Sequence, residues 1–265
     1  MSPSIHTCFL TRCWRLLRFA LWTLKMLWVC RVHYPFLTQE KRDERSCRLA
    51  RQGLAILRVC LSVTGNPSEH IRHTLFVANH VSWLDVLVLL ACYPMGFVAK
   101  KEIRSWFMIG KAAEFAGTIF VDRSQRGDTD AINRAMADSL RLGRNAVFFP
   151  EAGTSADGLH LKPFKAALFE SAILSASAIQ PVAMRFYDGN GCRTTRPAYT
   201  DKVTLFGCVC NILSLRETEV RLEFLPSISA EEVVASERYA LKERIEAQIK
   251  AVVEADIDGC AKNHD

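Results

Sequence analysis

The 265-residue sequence predicts an α/β fold: a central, mostly parallel sheet flanked by helices and preceded by an N-terminal membrane-associating helical region. Two observations predict the sheet. From residue 74 onward, short apolar runs alternate with segments of helical periodicity. The runs are continuously apolar instead of alternating, as strands covered on both faces are. A third observation predicts the leading region: residues 10–30 are rich in Leu, Trp and Phe but are interrupted by Arg12, Arg15, Arg18 and Lys25.

Those four basic residues fall within about 140° of one another on a helix turning 100° per residue, which leaves a broad apolar face bearing tryptophans. A spanning helix needs about 20 mostly apolar residues, and no charge-free run here is that long. The pattern fits a helix lying in the headgroup region with its basic stripe on anionic lipid. Charges inside the would-be apolar region, with no A-x-A site after it, argue against a cleavable signal. The domain division expected is 1–38 for this region and 39–265 for the rest, whose best-defined part is 74–190.

Residues 38–58 predict a second helix, with Leu49, Leu54, Ile56 and Leu57 on its apolar side and most of its charges in water. Strands are expected at 75–78, 96–99, 118–121, 146–149, 181–186 and 220–224. Helices are expected near 83–92, 101–116, 128–142, 164–177 and 230–255, and residues 203–213 read as a buried helix. Gly117 and Gly143 stand where helices end in a left-handed residue, and Asp128 or Thr129 can cap the helix that opens there.

Apolar residues make up 49% and charged residues 23%, the composition of a globular chain and not of a disordered one. The net charge of +6 is crowded toward the N-terminal quarter, which favours an anionic partner. Tryptophans and leucines among those charges suit lipid, and with no recognised module present no nucleic-acid partner is expected. The ten cysteines include no CxxC pair and no tetrahedral metal spacing. Most are expected to pack as small hydrophobes in a reducing, cytosol-facing compartment.

Asn79-His80-Val81-Ser82-Trp83-Leu84-Asp85 carries the chemistry. Histidine is the usual general base near neutral pH, and a carboxylate beside it fixes its tautomer. On one continuous helix a five-residue step separates the two side chains by about 140°. Ser82 followed by Asp85 reads instead as a capping box, with the serine as N-cap. His80 then precedes the helix and Asp85 reaches back to it. Read alone, a Ser-x-x-Asp helix start is also ordinary structure.

Four ordered segments weigh against that plainer reading. They are Asn79-His80-x4-Asp85; Gly117-Thr118-Ile119-Phe120-Val121-Asp122-Arg123; Phe149-Pro150-Glu151-Ala152-Gly153-Thr154-Ser155; and Ile179-Gln180-Pro181-Val182. With the downstream Pro163-Phe164-Lys165, these resemble the blocks of the glycerolipid (lysophospholipid) acyltransferase superfamily, over somewhat under half the chain. The resemblance implies transfer of a fatty acyl group from a thioester, acyl carrier protein or coenzyme A, to a lysolipid hydroxyl, with no metal or other cofactor. The type implied is a 1-acyl-sn-glycerol-3-phosphate acyltransferase of phospholipid biosynthesis on the cytoplasmic face of a bacterial inner membrane. His80 is then the general base and Asp85 its orienting acid, and backbone N–H groups of the helix after Ser82 stabilise the oxyanion. Arg123, Glu151, Gly153 and Thr154 are implied as substrate-binding, with Lys100 as a phosphate contact and Pro181 shaping the donor pocket.

The third segment departs from the family pattern F-P-E-G-T-R-S. An alanine follows the glutamate, either in place of the glycine or as an insertion, and the arginine is absent. A guanidinium binds phosphate bidentately and Thr154 has no equivalent. A less anionic acceptor, such as a lyso-ornithine lipid, therefore stands as the alternative, beside a catalytically silent lipid-binding relative. A serine hydrolase would want G-x-S-x-G, and Gly153–Gly158 misses that spacing by one residue.

Overall fold

The computed structural model describes residues 6–65, 71–100, 118–121, 128–200 and 202–257. Helix α1 (Phe9–Val32) and a 3-10 turn (Tyr34–Phe36) lead into α2 (Gln39–Leu57). Then come β1 (Val59–Thr64), β2 (Thr74–Ala78), α3 (Leu84–Cys92), β3 (Gly96–Lys100) and β4 (Ile119–Val121). They are followed by α4 (Asp128–Arg141), β5 (Ala146–Phe148), α5 (Glu170–Ser175) and β6 (Ala178–Asp188). The described chain closes with α6 (Leu205–Ser214), β7 (Thr218–Phe224), α7 (Ala230–Val234) and α8 (Arg238–Val253). The expected helix at 101–116, Gly117 and the capping side chain of Asp128 lie outside the described residues.

The seven strands form one sheet in the order β1-β7-β6-β2-β5-β3-β4. Every neighbouring pair is parallel except β6 with β7, so the expectation of a mainly parallel central sheet holds. The alternation of side chains sends Phe76, Ala78, Val182, Met184 and Leu222 to one face, where they meet Leu54 and Leu57 of α2, Leu84 and Val88 of α3, and Ile212 of α6. Leu75, Val77, Phe148, Ile179 and Ala183 go to the other, against Met136 and Leu140 of α4, Phe169 beside α5, and Leu241, Ile245 and Ile249 of α8. Covered on both faces, β2 is buried at all five positions.

Several expectations are corrected. A strand was not expected at 59–64; Arg58 ends α2 in the left-handed conformation (φ 59°) and turns the chain straight into β1. The expected helix 164–177 is reduced to a 3-10 turn (Ala167–Phe169) and the six-residue α5, closed by Ala176 at φ 50°. The expected helix 230–255 breaks after Val234, and Glu237, in extended conformation, restarts it. Gly143 does end α4 with φ 76°, its N–H on the Leu140 carbonyl at 2.8 Å. Cys30, Cys47 and Cys208 are buried thiols, and Cys192 is disulfide-bonded.

In α1 the four basic residues do not share one outer stripe. Arg15 is buried and donates to the carbonyls of Leu57, Leu213 (3.2 Å) and Leu215 (2.7 Å), at the C-terminal ends of α2 and α6. Those carbonyls lack partners within their own helices and carry the negative end of the helix dipole, so a guanidinium suits them. Trp22 lies over Gly53 of α2, where a Cβ atom would come within 2.7 Å of the indole. Leu10, Trp14, Leu17, Leu21, Leu24 and Trp28, spaced three or four residues apart, remain exposed. No helix among the described residues is long and apolar enough to cross a membrane.

Candidate active site

The chain leaving β2 crosses toward β3 and β4, whereas the chain leaving β5 crosses to β6 on the other side of β2. Such a reversal opens a crevice at the carboxyl ends of the two adjacent strands. His80 follows β2 there, and Phe149 and Glu151 follow β5. Asn79 extends the ladder past the end of β2 with its side chain. Its Nδ2 donates to the Met184 carbonyl (3.0 Å) and its Oδ1 accepts the Met184 N–H (2.7 Å). The chain is thereby held while it turns out of the sheet.

Within that turn, Asp85 Oδ2 accepts three N–H groups: His80 Nδ1 (2.8 Å), Val81 N (2.7 Å) and Ser82 N (2.9 Å). The aspartate does reach back as expected, but Ser82 does not cap α3. Its hydroxyl lies 4.0 Å from Cys208 Sγ of α6, and α3 starts with no side-chain cap. Asp85 is fully buried and the His80 side chain is 20% exposed, so the carboxylate is shielded and the imidazole reachable. Since Asp85 accepts at Nδ1, the lone pair of neutral His80 lies on Nε2. Phe149 stacks on the imidazole with centroids 4.0 Å apart and planes 11° apart, fixing the ring.

Glu151 enters from behind. Its Oε1 accepts the His80 N–H at 2.6 Å and its Oε2 the Lys162 N–H at 2.9 Å. Burial pushes this carboxyl from the ordinary 4.5 up to about 7, against the two N–H groups and His80, which favour the charged form. Ser155 donates its N–H to the His80 carbonyl (2.6 Å), and the Thr154 hydroxyl donates to the Tyr199 carbonyl. Tyr199 in turn donates to the Val81 carbonyl (3.0 Å). Gly158 adopts φ 78° against Ala198, where a side chain would approach to 2.8 Å. The loop after β5, the segment 197–199 and the exit of β2 are thus laced into one frame.

Of the residues singled out in the sequence, His80, Asp85, Glu151 and Thr154 meet here. Gly153 lies on the same loop, exposed and with open space around it. Ala152, at φ 57°, holds the left-handed conformation for which glycine is suited. Pro181 pairs in register with Val77 and lies on the face shared by Ile179 and Ala183, away from His80 and Phe149. Lys100 closes β3 beside Val121, and its side chain lies outside the described residues, as does Arg123. Sequence reasoning gave no role to Phe149 or Lys162. The first was visible inside the Phe-Pro-Glu segment; the second has no local signal, because it reaches the site through a backbone N–H. Among the described residues no cluster of His, Cys, Asp or Glu is arranged to hold a metal.

A family model described as Acyltransferase matches residues 60–185. The chain is 44% identical over 255 residues to the 1-acyl-sn-glycerol-3-phosphate acyltransferase of Neisseria meningitidis serogroup B, covering 96% of this chain and 98% of that one. It is 45% identical over 112 residues to the lyso-ornithine lipid O-acyltransferase of Pseudomonas aeruginosa, covering 42% and 43%. The fold is that of the crystal structure of the 1-acyl-sn-glycerophosphate acyltransferase PlsC of Thermotoga maritima, with a TM-score of 0.64 at 21% identity over 91% of this chain and 97% of that one. With its His-x4-Asp pair at the sheet crevice and relatives matched along nearly its whole length, the chain belongs to the acyltransferase family.

Proposed function

We propose that the protein transfers a fatty acyl group from a thioester donor to the free hydroxyl of a lysolipid, with 1-acylglycerol 3-phosphate as the acceptor. The observation that carries this reading is the 2.8 Å contact between His80 Nδ1 and the buried Asp85, on a ring whose Nε2 is left to accept a proton. His80 Nε2 takes the proton of the attacking hydroxyl as its oxygen bonds to the thioester carbonyl carbon. The tetrahedral intermediate collapses with loss of the thiolate, which receives the proton from His80. Asp85 keeps the ring in one tautomer and stabilises its charged form. Glu151 acts as a positioning residue through the His80 main chain. No protein nucleophile is required.

The full-length relative favours the glycerophosphate acceptor. A lyso-ornithine lipid remains the second reading, supported by the shorter match and by the missing arginine of the third segment. The acceptor is reached at a membrane surface, met through the exposed apolar stripe of α1 with Arg18, Lys25 and Arg31 beside it. His80→Ala is expected to lower transfer about 10²–10⁴-fold while leaving the thermal unfolding midpoint unchanged within a few degrees. Acyl transfer to a panel of lysolipids measures this, and near-normal turnover in that variant would remove His80 from the mechanism.

A further inference from the structure

The loop frame that holds His80 also carries a cation that the chemistry of His80 does not use. Lys162 donates its main-chain N–H to Glu151 Oε2, and the other oxygen of that carboxyl holds the His80 N–H. One carboxyl group therefore separates the two residues. The Lys162 ammonium folds back onto the same loop and donates to the Thr154 carbonyl. The next residue, Ser155, donates its N–H to the His80 carbonyl at 2.6 Å. Ammonium and imidazole are thus mounted on one frame.

The anions nearby are committed elsewhere. Both Glu151 oxygens take backbone N–H groups. Asp157 accepts from Leu159 N (2.8 Å), His160 N (2.9 Å) and the His160 ring (2.6 Å). Glu254 accepts the Leu161 N–H at 3.2 Å and faces Lys250 at 4.0 Å. Among the described residues Lys162 Nζ has a carbonyl partner and no ion pair within 4.0 Å. An ammonium has three donors, so two are left over. Half-buried without a counter-ion, it gains most from an anionic ligand.

We propose that Lys162 is a substrate-binding residue whose ammonium takes an anionic oxygen, phosphate or carboxylate, of a substrate presented to His80. The inference rests on the acyl-transfer reading above and assigns a cation to it. A lysolipid headgroup and the phosphates of a thioester donor share this chemistry, and kinetics separate them. Lys162→Met keeps the side-chain stem and the main-chain bond to Glu151 but removes the charge; Lys162→Arg keeps the charge.

In the full chain with lipid vesicles, Lys162→Met is expected to raise KM for 1-acylglycerol 3-phosphate about 10–100-fold, with kcat changed less than about threefold. The arginine variant should stay close to wild type, and neutral monoacylglycerol should be used equally well by all three proteins. A rise in the donor KM alone supports the cation with the donor as its source. Unchanged KM values for both substrates would overturn the proposal. Calorimetric titration with inorganic pyrophosphate needs no turnover, so it decides the matter even if the wild-type protein acylates no lysolipid, a result that would sink the acyl-transfer reading alone. Wild type is expected to bind pyrophosphate at least about tenfold more tightly than Lys162→Met; equal or undetectable binding in both counts against the cation.

Discussion

A single oxygen of Asp85 receives one imidazole and two backbone N–H groups, which offset much of the cost of burying this carboxylate. Glu151 is the contrasting case: burial outweighs its two N–H partners and lifts its pKa to about 7. Between the ordinary 4.5 and about 7 the native state holds a proton that the unfolded chain has released. Stability must therefore fall as pH rises through that window, by up to on the order of 3 kcal/mol. Chemical denaturation at pH 4.5 and pH 7.5 should show this component in the wild type and lose it in Glu151→Gln; parallel slopes in the two proteins would assign the pH dependence to other groups. Here the sequence was informative about His80 and Asp85, because five residues and a strand-to-helix change suffice to bring them together. Phe149 meets His80 by a ring face across a long stretch of chain, and Lys162 reaches the site only through its main-chain N–H to Glu151; neither contact leaves a periodicity to read.

Element types were legible wherever burial imposes a pattern, and the ends of α2, α3 and α4 fell within a residue of expectation, whereas the breaks inside 164–177 and 230–255 were not legible. The apolar runs of β2, β5 and β6 read directly as strands because both faces are covered. The end of α2 was legible to within a residue although Arg58 closes it in the left-handed conformation that glycine usually signals; what 164–177 concealed was the late start of α5 at Glu170. Arg15 is the sharper lesson: its spacing on α1 suits a lipid-facing stripe, yet three carbonyls at the ends of two helices draw it inward. Arg15→Met should take the guanidinium from those carbonyls, although Leu213 keeps the Thr7 hydroxyl at 2.9 Å, and destabilise the fold by about 2–4 kcal/mol. Urea denaturation in detergent would measure the loss, and one below about 0.5 kcal/mol would mean that water replaces the guanidinium.

For the whole molecule, the exposed stripe of α1 lies opposite the side packed on α2 and α6. Leu17 and Leu21 each add about 1.5 kcal/mol of burial when the stripe enters lipid. Leu17→Glu with Leu21→Glu should therefore weaken vesicle binding more than about a hundredfold without unfolding the protein. Co-sedimentation with anionic vesicles tests this, and unchanged binding would place the docking surface elsewhere. The same helix is joined to the catalytic turn from its inner side: Phe19 lies 5.8 Å from Trp83, which follows Ser82, and Arg15 pins α1 to α6, whose Cys208 abuts Ser82. On the proposed docking of α1, a helix fastened this closely would serve as a depth gauge more than as a tether. It would set how far above the lipid surface His80 stands, and so how far a lysolipid must rise from the bilayer for its hydroxyl to meet the imidazole.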